Sequence, residues 1–435
     1  MTHWATTTVW YHVYPLGFVG AEKSAEGVEG VHHRLPKLEG WLDHVAGLGV
    51  DGLLLGPIFA SSTHGYDTVD HFRIDPRLGD DADFDKLVAG ARDRGLRVVL
   101  DGVFNHVGRE HPAFREVLSR GPSAPHADWF RLSWPRGEGA EPDYADFEGH
   151  RQLVALAHER PAVQDYLVEV MTRWLDRGVA GWRLDAAYCI PPEIWAKLIS
   201  RVRQTHPDAF FLGEVIHGDY PHIVSASGMS TVTQYELWKA TWSALKDGNF
   251  HELAWTLRRH DEFLSSFTPQ TFVGNHDVTR IATQVKDRRR LPHAHVILMT
   301  TGGIPSIYYG DERGWEGVKE NRFGGDDAIR PAFPEASEGL GDLGRDIEEM
   351  IRGLVGMRKH RPWLARAKTE AVHLDNRSLV YATTDGTSKL LVALSLEEEE
   401  MTLPAPGAQS ILLGSAVLDG EKVRLPPMGW AVLSA

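Results

Sequence analysis

The stretch Val179-Ala180-Gly181-Trp182-Arg183-Leu184-Asp185-Ala186-Ala187 reads as a short buried strand ending in an arginine and a carboxylate two residues apart. Side chains two apart on a strand share a face, so Arg183 and Asp185 point the same way. A guanidinium beside a carboxylate favours the ionised form, so Asp185 is expected to be charged, with a lowered pKa. A charged oxygen held in place is what a carboxylate nucleophile requires. Taken alone, the pair is better explained as an ordinary salt bridge at a strand end. It is not alone: Glu214 lies at the end of the strand-like run FFLGEVIH, and Asp277 at the end of TFVGNHDVTR.

Outward from that stretch, apolar strand-length runs alternate with helix-length amphipathic ones over roughly the first 360 residues. That alternation is the pattern of a parallel sheet with helical crossovers. Strands are expected at VWYHVYPLGF (9–18), DGLLLGPIF, LRVVLDGVFNH (96–106), the Asp185 stretch, AFFLGEVIH, near STVTQYEL, at QTFVGNHD and at IPSIYYGDE. LPKLEGWLDHVAGLGV predicts a single helix, with Leu38, Trp41, Leu42 and Val45 at helical spacing. Eight strands favour a closed barrel over an open sheet. Residues 107–160 break the rhythm with Pro, Gly, Trp and charge, and are expected as a short excursion over the barrel mouth. From about Ala365 the chain alternates apolar and polar residues between DG and PAPG turns. The fold class is thus α/β: a (β/α)8 TIM barrel (1–106 and 161–362), an inserted excursion after strand three (107–160), and a C-terminal antiparallel β-sandwich domain (363–435).

Composition limits the partners. With 46 Lys+Arg against 60 Asp+Glu the net charge is −14, the wrong sign for a nucleic-acid partner. No run approaches the roughly eighteen apolar residues of a membrane helix, so no membrane is expected. The N-terminus shows no basic segment followed by an apolar one, and the expected location is cytoplasmic. One cysteine, Cys189, excludes an intramolecular disulfide and is expected to be core packing. Whether copies of the chain form a homo-oligomer is left open.

In a parallel barrel the C-terminal strand ends form the catalytic face. Gathered there are Asp101, Asn105 and His106 (DGVFNH), Arg183 and Asp185, Glu214, and His276 with Asp277. Tyr66 and Asp67 follow strand two. Three carboxylates on three strands fit double displacement at an anomeric carbon. One attacks; a second, kept protonated by burial and anionic neighbours, donates to the leaving oxygen and then activates water. A third opposes the positive charge that grows on the ring.

These segments, DGVFNH, GWRLDAA, GEV and FVGNHD, resemble in order and spacing the four short sequence regions of the α-amylase superfamily of glycoside hydrolases. HGYDTVDHFRIDPRLG, PSIYYGDERGWEG and GGDDAIRPAF add to the likeness, as does the closing β domain. PSAPHADWF and GGDDAIRP look most like the neopullulanase, cyclomaltodextrinase and maltogenic amylase branch. That resemblance implies a retaining enzyme on α-glucans: Asp185 as nucleophile, Glu214 as general acid/base and Asp277 as transition-state stabiliser. It implies His106, Arg183 and His276 around the sugar, Tyr66 stacked on it and Asp67 bracing the site. Asp326 and Arg330 would touch the next sugar outward, or form only a surface-loop ion pair.

Three departures from the branch stand out. The chain starts at strand one, where relatives carry an extra N-terminal β domain. Ala157 replaces an amide-bearing residue before helix four, and Ile216 stands where relatives often have Trp. No cofactor is expected. Calcium, which takes six to eight oxygens, is not supported as a ligand of Asn105, and no metal is assigned. Trp129, Trp134 and Trp315 sit in loops, where each either stacks on a sugar or simply packs.

The expected function is a retaining hydrolase of maltooligosaccharides or related short α-glucosides, with an oligosaccharide as its partner. A transglycosylase or trehalose-forming isomerase would use the same covalent intermediate. A non-catalytic binding subunit would be expected to lack the carboxylates that this chain keeps.

Overall fold

Eight short parallel strands wind into a barrel: β1 (Trp10–Val13), β2 (Gly52–Leu55), β3 (Arg97–Gly102), β4 (Gly181–Leu184), β5 (Phe210–Gly213), β6 (Thr231–Val232), β7 (Gln270–Phe272) and β8 (Ile304–Tyr308). The computed structural model describes residues 3–134, 141–322 and 324–435, so 135–140 of the expected excursion lie outside the described residues. Neighbours run β6-β5-β4-β3-β2-β1-β8-β7, and a parallel bridge between Thr233 and Gln270 closes the ring. All residues of these strands except Arg97 are buried, because helices cover the outer face and side chains fill the inner one.

The barrel interior is layered. Trp10, Leu54, Val99, Phe210, Leu212 and Ile304 form an apolar floor, with the Trp10 and Phe210 rings stacked 5.7 Å apart. Each such fully buried side chain contributes about 2–3 kcal/mol. Two residues further along the same inward faces come His12, Asp101 and Arg183, so a polar layer rests on the apolar one. Gly52 admits the Trp10 indole: a Cβ there would stand 2.5 Å from that ring.

The helices follow from their apolar faces and ends. Helix Pro161–Asp176 begins with proline at its first turn and buries Val163, Leu167, Val170, Met171, Trp174 and Leu175. Helix Asp81–Asp93 starts on a capping box formed by Asp80 and Asp83. The single helix expected after β1 is instead two, Leu35–Gly40 and Leu42–Gly47. The break falls at Trp41, whose buried indole donates to Pro334 O at 3.2 Å. The expected first strand likewise stops at Val13, where Tyr14-Pro15 turns into the short helix Pro15–Phe18.

A hairpin, Phe59–Ser61 with Thr68–Ile74, follows β2 and carries Tyr66 and Asp67 in its turn. Between β3 and β4, His106–Gly108 pairs with His150–Ala155, which also pairs with Asp146–Phe147. The expected third strand therefore ends at Gly102, and His106 belongs to this smaller sheet.

After the barrel, β9 (Lys368–Leu374), β10 (Ser378–Thr384), β11 (Lys389–Ser395), β12 (Ser410–Gly414) and β13 (Trp430–Ser434) form an antiparallel sheet in the order 9-10-11-13-12. A second sheet of Met401–Pro404, Lys422–Leu425 and Val417–Asp419 packs on it through Val380, Leu391, Leu403, Val423 and Leu433. The alternate residues Leu379, Tyr381, Val392, Leu394 and Val432 join the barrel's own core. A sandwich closed on one side by the barrel results.

Candidate active site

The C-terminal strand ends converge on Arg183. Its side chain, 3% exposed, is a hub among four carboxylates drawn from four strands. Nη1 donates to both oxygens of Asp101 at 2.7 Å and to Asp185 Oδ1 at 3.1 Å. Nη2 lies 2.8 Å from Glu214 Oε1 and 3.9 Å from Asp277 Oδ2. The register explains the convergence: Arg183 pairs across the sheet with Asp101, Asp185 follows β4 directly, and Glu214 follows β5 directly.

Glu214 is gripped from two further directions. Its Oε2 accepts from Ala186 N–H at 3.0 Å, and its Oε1 from the Tyr235 hydroxyl at 3.3 Å. Ala186 has φ +44°, the left-handed region that costs a non-glycine residue about 1 kcal/mol or more, and that turn aims its N–H at Glu214. Asn275 links the next strand: Nδ2 donates to the Tyr235 oxygen at 3.1 Å, and Oδ1 accepts from Asp277 N–H at 2.9 Å.

One guanidinium cannot neutralise four acids, and the charge is shared unequally. Burial and the charge of Glu214 push the Asp185 carboxyl well above its usual range, although Arg183 pulls it down. This corrects the expectation that Arg183 alone would lower it, since that guanidinium is divided with Asp101 and Glu214. Burial also raises Asp101, against the opposing pull of Arg183 and His276. For Asp277 burial again opposes ionisation, but His276, Arg330 and Arg183 together hold it well below the usual range. The same site thus draws the Asp277 carboxyl down and the Asp185 and Asp101 carboxyls up.

Around this core the structure places the other expected residues. The Tyr66 hydroxyl donates to Asp101 Oδ2 at 3.0 Å and meets His276 Nε2, with the Tyr66 and His276 rings parallel. His276 Nε2 lies 2.9 Å from Asp277 Oδ2. Arg330 is no surface residue: Nη2 reaches Asp277 Oδ1 and Asp326 Oδ2, both at 2.9 Å, and Nε donates to His276 O. Asp326 is partly exposed and also lies 3.8 Å from Lys319. Asp67 is turned to its own loop, accepting from Thr63 N–H and Oγ1–H. His106 faces protein on both sides of its ring, with Nε2 on Tyr66 O at 3.1 Å and Nδ1 on Asn105 Nδ2, while Phe147 stacks on it at 4.8 Å. The side-chain amide of Asn105 is thereby committed as a loop brace, and its backbone carbonyl accepts from Leu156 N–H.

The sequence reasoning passed over Tyr235, Asn275, Tyr14 and His12. Asn275 lay inside the quoted FVGNHD and was separable only by its contacts. Tyr235 opens the helix Tyr235–Asp247 after β6, where nothing in YELW distinguishes it from packing. Tyr14 lies parallel to His276 and under the Arg330 guanidinium. Cys189, expected in the core, is exposed on the turn after Asp185, next to Tyr188, whose hydroxyl donates to Glu148 of the excursion. Trp129 and Trp315 pack against Tyr166 and Phe333, and Trp134 also packs on the core. Ile216 is exposed, and the N–H of buried Ala157 donates to Trp129 O.

Comparison with known proteins adds the family. The sequence profile of the alpha amylase catalytic domain matches residues 13–348. The cyclomaltodextrinase of Geobacillus thermopakistaniensis (strain MAS1) is 31% identical over 99% of this chain and 77% of its own length. The intracellular maltogenic amylase of Bacillus subtilis (strain 168) is 30% identical over 73% of this chain and 57% of its own. Among solved structures, the ligand-free cyclic alpha-maltosyl-(1-->6)-maltose hydrolase from Arthrobacter globiformis superposes with a TM-score of 0.84. It covers 100% of both chains at 26% identity.

Proposed function

The chain belongs to the α-amylase family of glycoside hydrolases, and on that footing we propose that it hydrolyses maltooligosaccharides and related short α-glucosides by double displacement, with retention. The observation that carries the reading is the convergence of Asp185, Glu214 and Asp277 on the single buried guanidinium of Arg183, at 3.1, 2.8 and 3.9 Å.

An Asp185 oxygen attacks the anomeric carbon while the glycosidic bond breaks, its electrons passing to the leaving oxygen. That oxygen takes its proton from Glu214. Cleavage therefore begins with the proton on Glu214 and the charge on Asp185. In the second half Glu214 takes a proton from water, whose oxygen attacks the same carbon and frees Asp185. Asp277, kept ionised by His276, Arg330 and Arg183, opposes the positive charge on the ring in both transition states. Tyr66, lying parallel to His276, offers the sugar a ring face, and His106 acts by holding the Tyr66 backbone. Arg330, paired with Asp326 and Asp277, would meet the next sugar outward.

In this reading the barrel (1–106 and 161–362) supplies the carboxylates, the excursion (107–160) brings Phe147 and Glu148 against His106 and Tyr188, and 363–435 packs on the barrel core through Leu379, Tyr381 and Val392. No described helix is long and apolar enough to cross a membrane. A cytoplasmic location is in keeping with the relative named an intracellular amylase. The test is chromatography of products from maltose, maltotriose, isomaltose, trehalose and β-cyclodextrin. Smaller sugars alone support hydrolysis, whereas products longer than the substrate would move the assignment to a transglycosylase. Asp185→Ala, folded, must lose turnover.

A further inference from the structure

Against the ionic cluster lies a small cavity of about 20 Å3, whose lining includes Leu54, Leu212, His12, Arg183, His276 and Ser306. Three buried polar atoms on these side chains have no hydrogen-bond partner among the described residues: His12 Nε2, His276 Nδ1 and Ser306 Oγ. Their residues are no more than 4% exposed. The strand register brings two of them together. Trp10 of β1 pairs with Ser306 of β8, and His12 lies two residues beyond Trp10, so His12 and Ser306 share the inward face. His276 comes from the loop after β7. The His12 ring stands edge-on to His276, 5.0 Å away.

An unpartnered polar atom buried in this way costs about 1–3 kcal/mol, and three around one void multiply that cost. A void of roughly 10–15 Å3 or more with two to four polar partners is what a buried water needs. Here both conditions hold. Burial, then the nearby His276 and Arg183, hold the His12 imidazole well below its usual range, which keeps it neutral. A neutral imidazole and a hydroxyl can each donate to or accept from one water, according to what His276 requires.

We propose that His12 and Ser306 hold the His276 ring through a single water bound in this cavity, and so act as positioning residues for cleavage. The other nitrogen of that ring, Nε2, touches both Asp277 and Tyr66, so fixing Nδ1 fixes the face presented to the sugar. The catalytic half of this statement rests on the glycosidase reading above; the water does not.

A high-resolution crystal structure tests the water. One ordered water within hydrogen-bond distance of His12 Nε2, His276 Nδ1 and Ser306 Oγ is expected; a dry cavity, or His276 Nδ1 turned to a protein partner, overturns the proposal. Kinetics on maltotriose tests the positioning. His12→Phe should lower kcat roughly ten- to a hundredfold with KM little changed. His12→Gln, which keeps a polar end, should recover most of that loss. Should His12→Phe fail to fold, Ser306→Ala carries the same kcat-against-KM comparison. A folded variant with wild-type kcat contradicts the positioning role. If the wild-type chain cleaves no glucan, the glycosidase reading fails, and the electron density alone still decides whether the water is held.

Discussion

Arg183 divides one guanidinium among four acids, and the stability of the fold should register the division. Asp185 has a raised folded pKa, so whatever stability it contributes is present below the unfolded value of about 3.9 and is lost as pH rises through the folded value. Asp185→Asn should therefore cut kcat by at least about three orders of magnitude and yet raise the melting temperature at pH 7. That gain should shrink towards pH 4. Asp277 has the opposite sign: its folded pKa is depressed, so its contribution is present above the unfolded value and disappears only as pH falls through the folded one. Asp277→Asn should cost about 2 kcal/mol at pH 7, since it strips Arg330 and His276 of their shared counter-ion while Asp277 itself stays partly exposed. Melting curves of both variants from pH 4 to 8 check the pair, and shifts of the same sign at pH 7 would contradict this electrostatic account. At this scale the sequence was informative where a residue sits at a strand end, as with Asp185 and Glu214. It was silent on charge state, which depends on distances between strands far apart in the chain. It was equally silent on Tyr235, whose hydroxyl reaches Glu214 across 21 positions.

The strands carry the site because an apolar floor holds them at fixed spacing. Trp10, on β1, stacks on Phe210 of β5 on the far side of the barrel and fills the space that Gly52 leaves. Trp10→Ala should cost about 3–5 kcal/mol in denaturant unfolding. Gly52→Ala, which drives a methyl into the same ring and towards Arg97 O, should cost about 1–3 kcal/mol. A Trp10→Ala loss below 1 kcal/mol would mean that the floor does not brace the barrel. All eight strands were legible, most of them as the short apolar runs of strands buried on both faces, and the polar β6 and β7 by their place in the alternation. Their ends were less so: the functional motifs continue the apolar run past the last ladder bond, which made β1 and β3 look longer than they are. The hairpin carrying Tyr66 escaped notice because TVDHFRI has no clean alternation, its His71 and Phe72 meeting Tyr166 and Trp174 of helix Pro161–Asp176.

For the whole molecule, the change of texture near Ala365 revealed a β domain but not how it docks. The inward residues of β10 and β11 merge with the barrel core, Tyr381 meets Thr300 at 2.6 Å, and both oxygens of Asp261 accept from Thr369 N–H. These contacts join residues 81 to 108 positions apart, which local pattern cannot show. Truncation after Arg366 should consequently leave a chain that aggregates, because the barrel face under Leu379, Tyr381 and Val392 would be bared. Size-exclusion chromatography checks this, and a monodisperse, helical truncated chain would contradict the shared core. Above all of these stands the chemistry of the cleft. The most direct measurement is proton NMR of the anomeric signals during the first turnovers on maltotriose. Initial release of the α-anomer, decaying towards the equilibrium mixture, is the outcome expected of Asp185 acting as nucleophile. Initial release of the β-anomer, or no cleavage of any α-glucan by the folded protein, would contradict it.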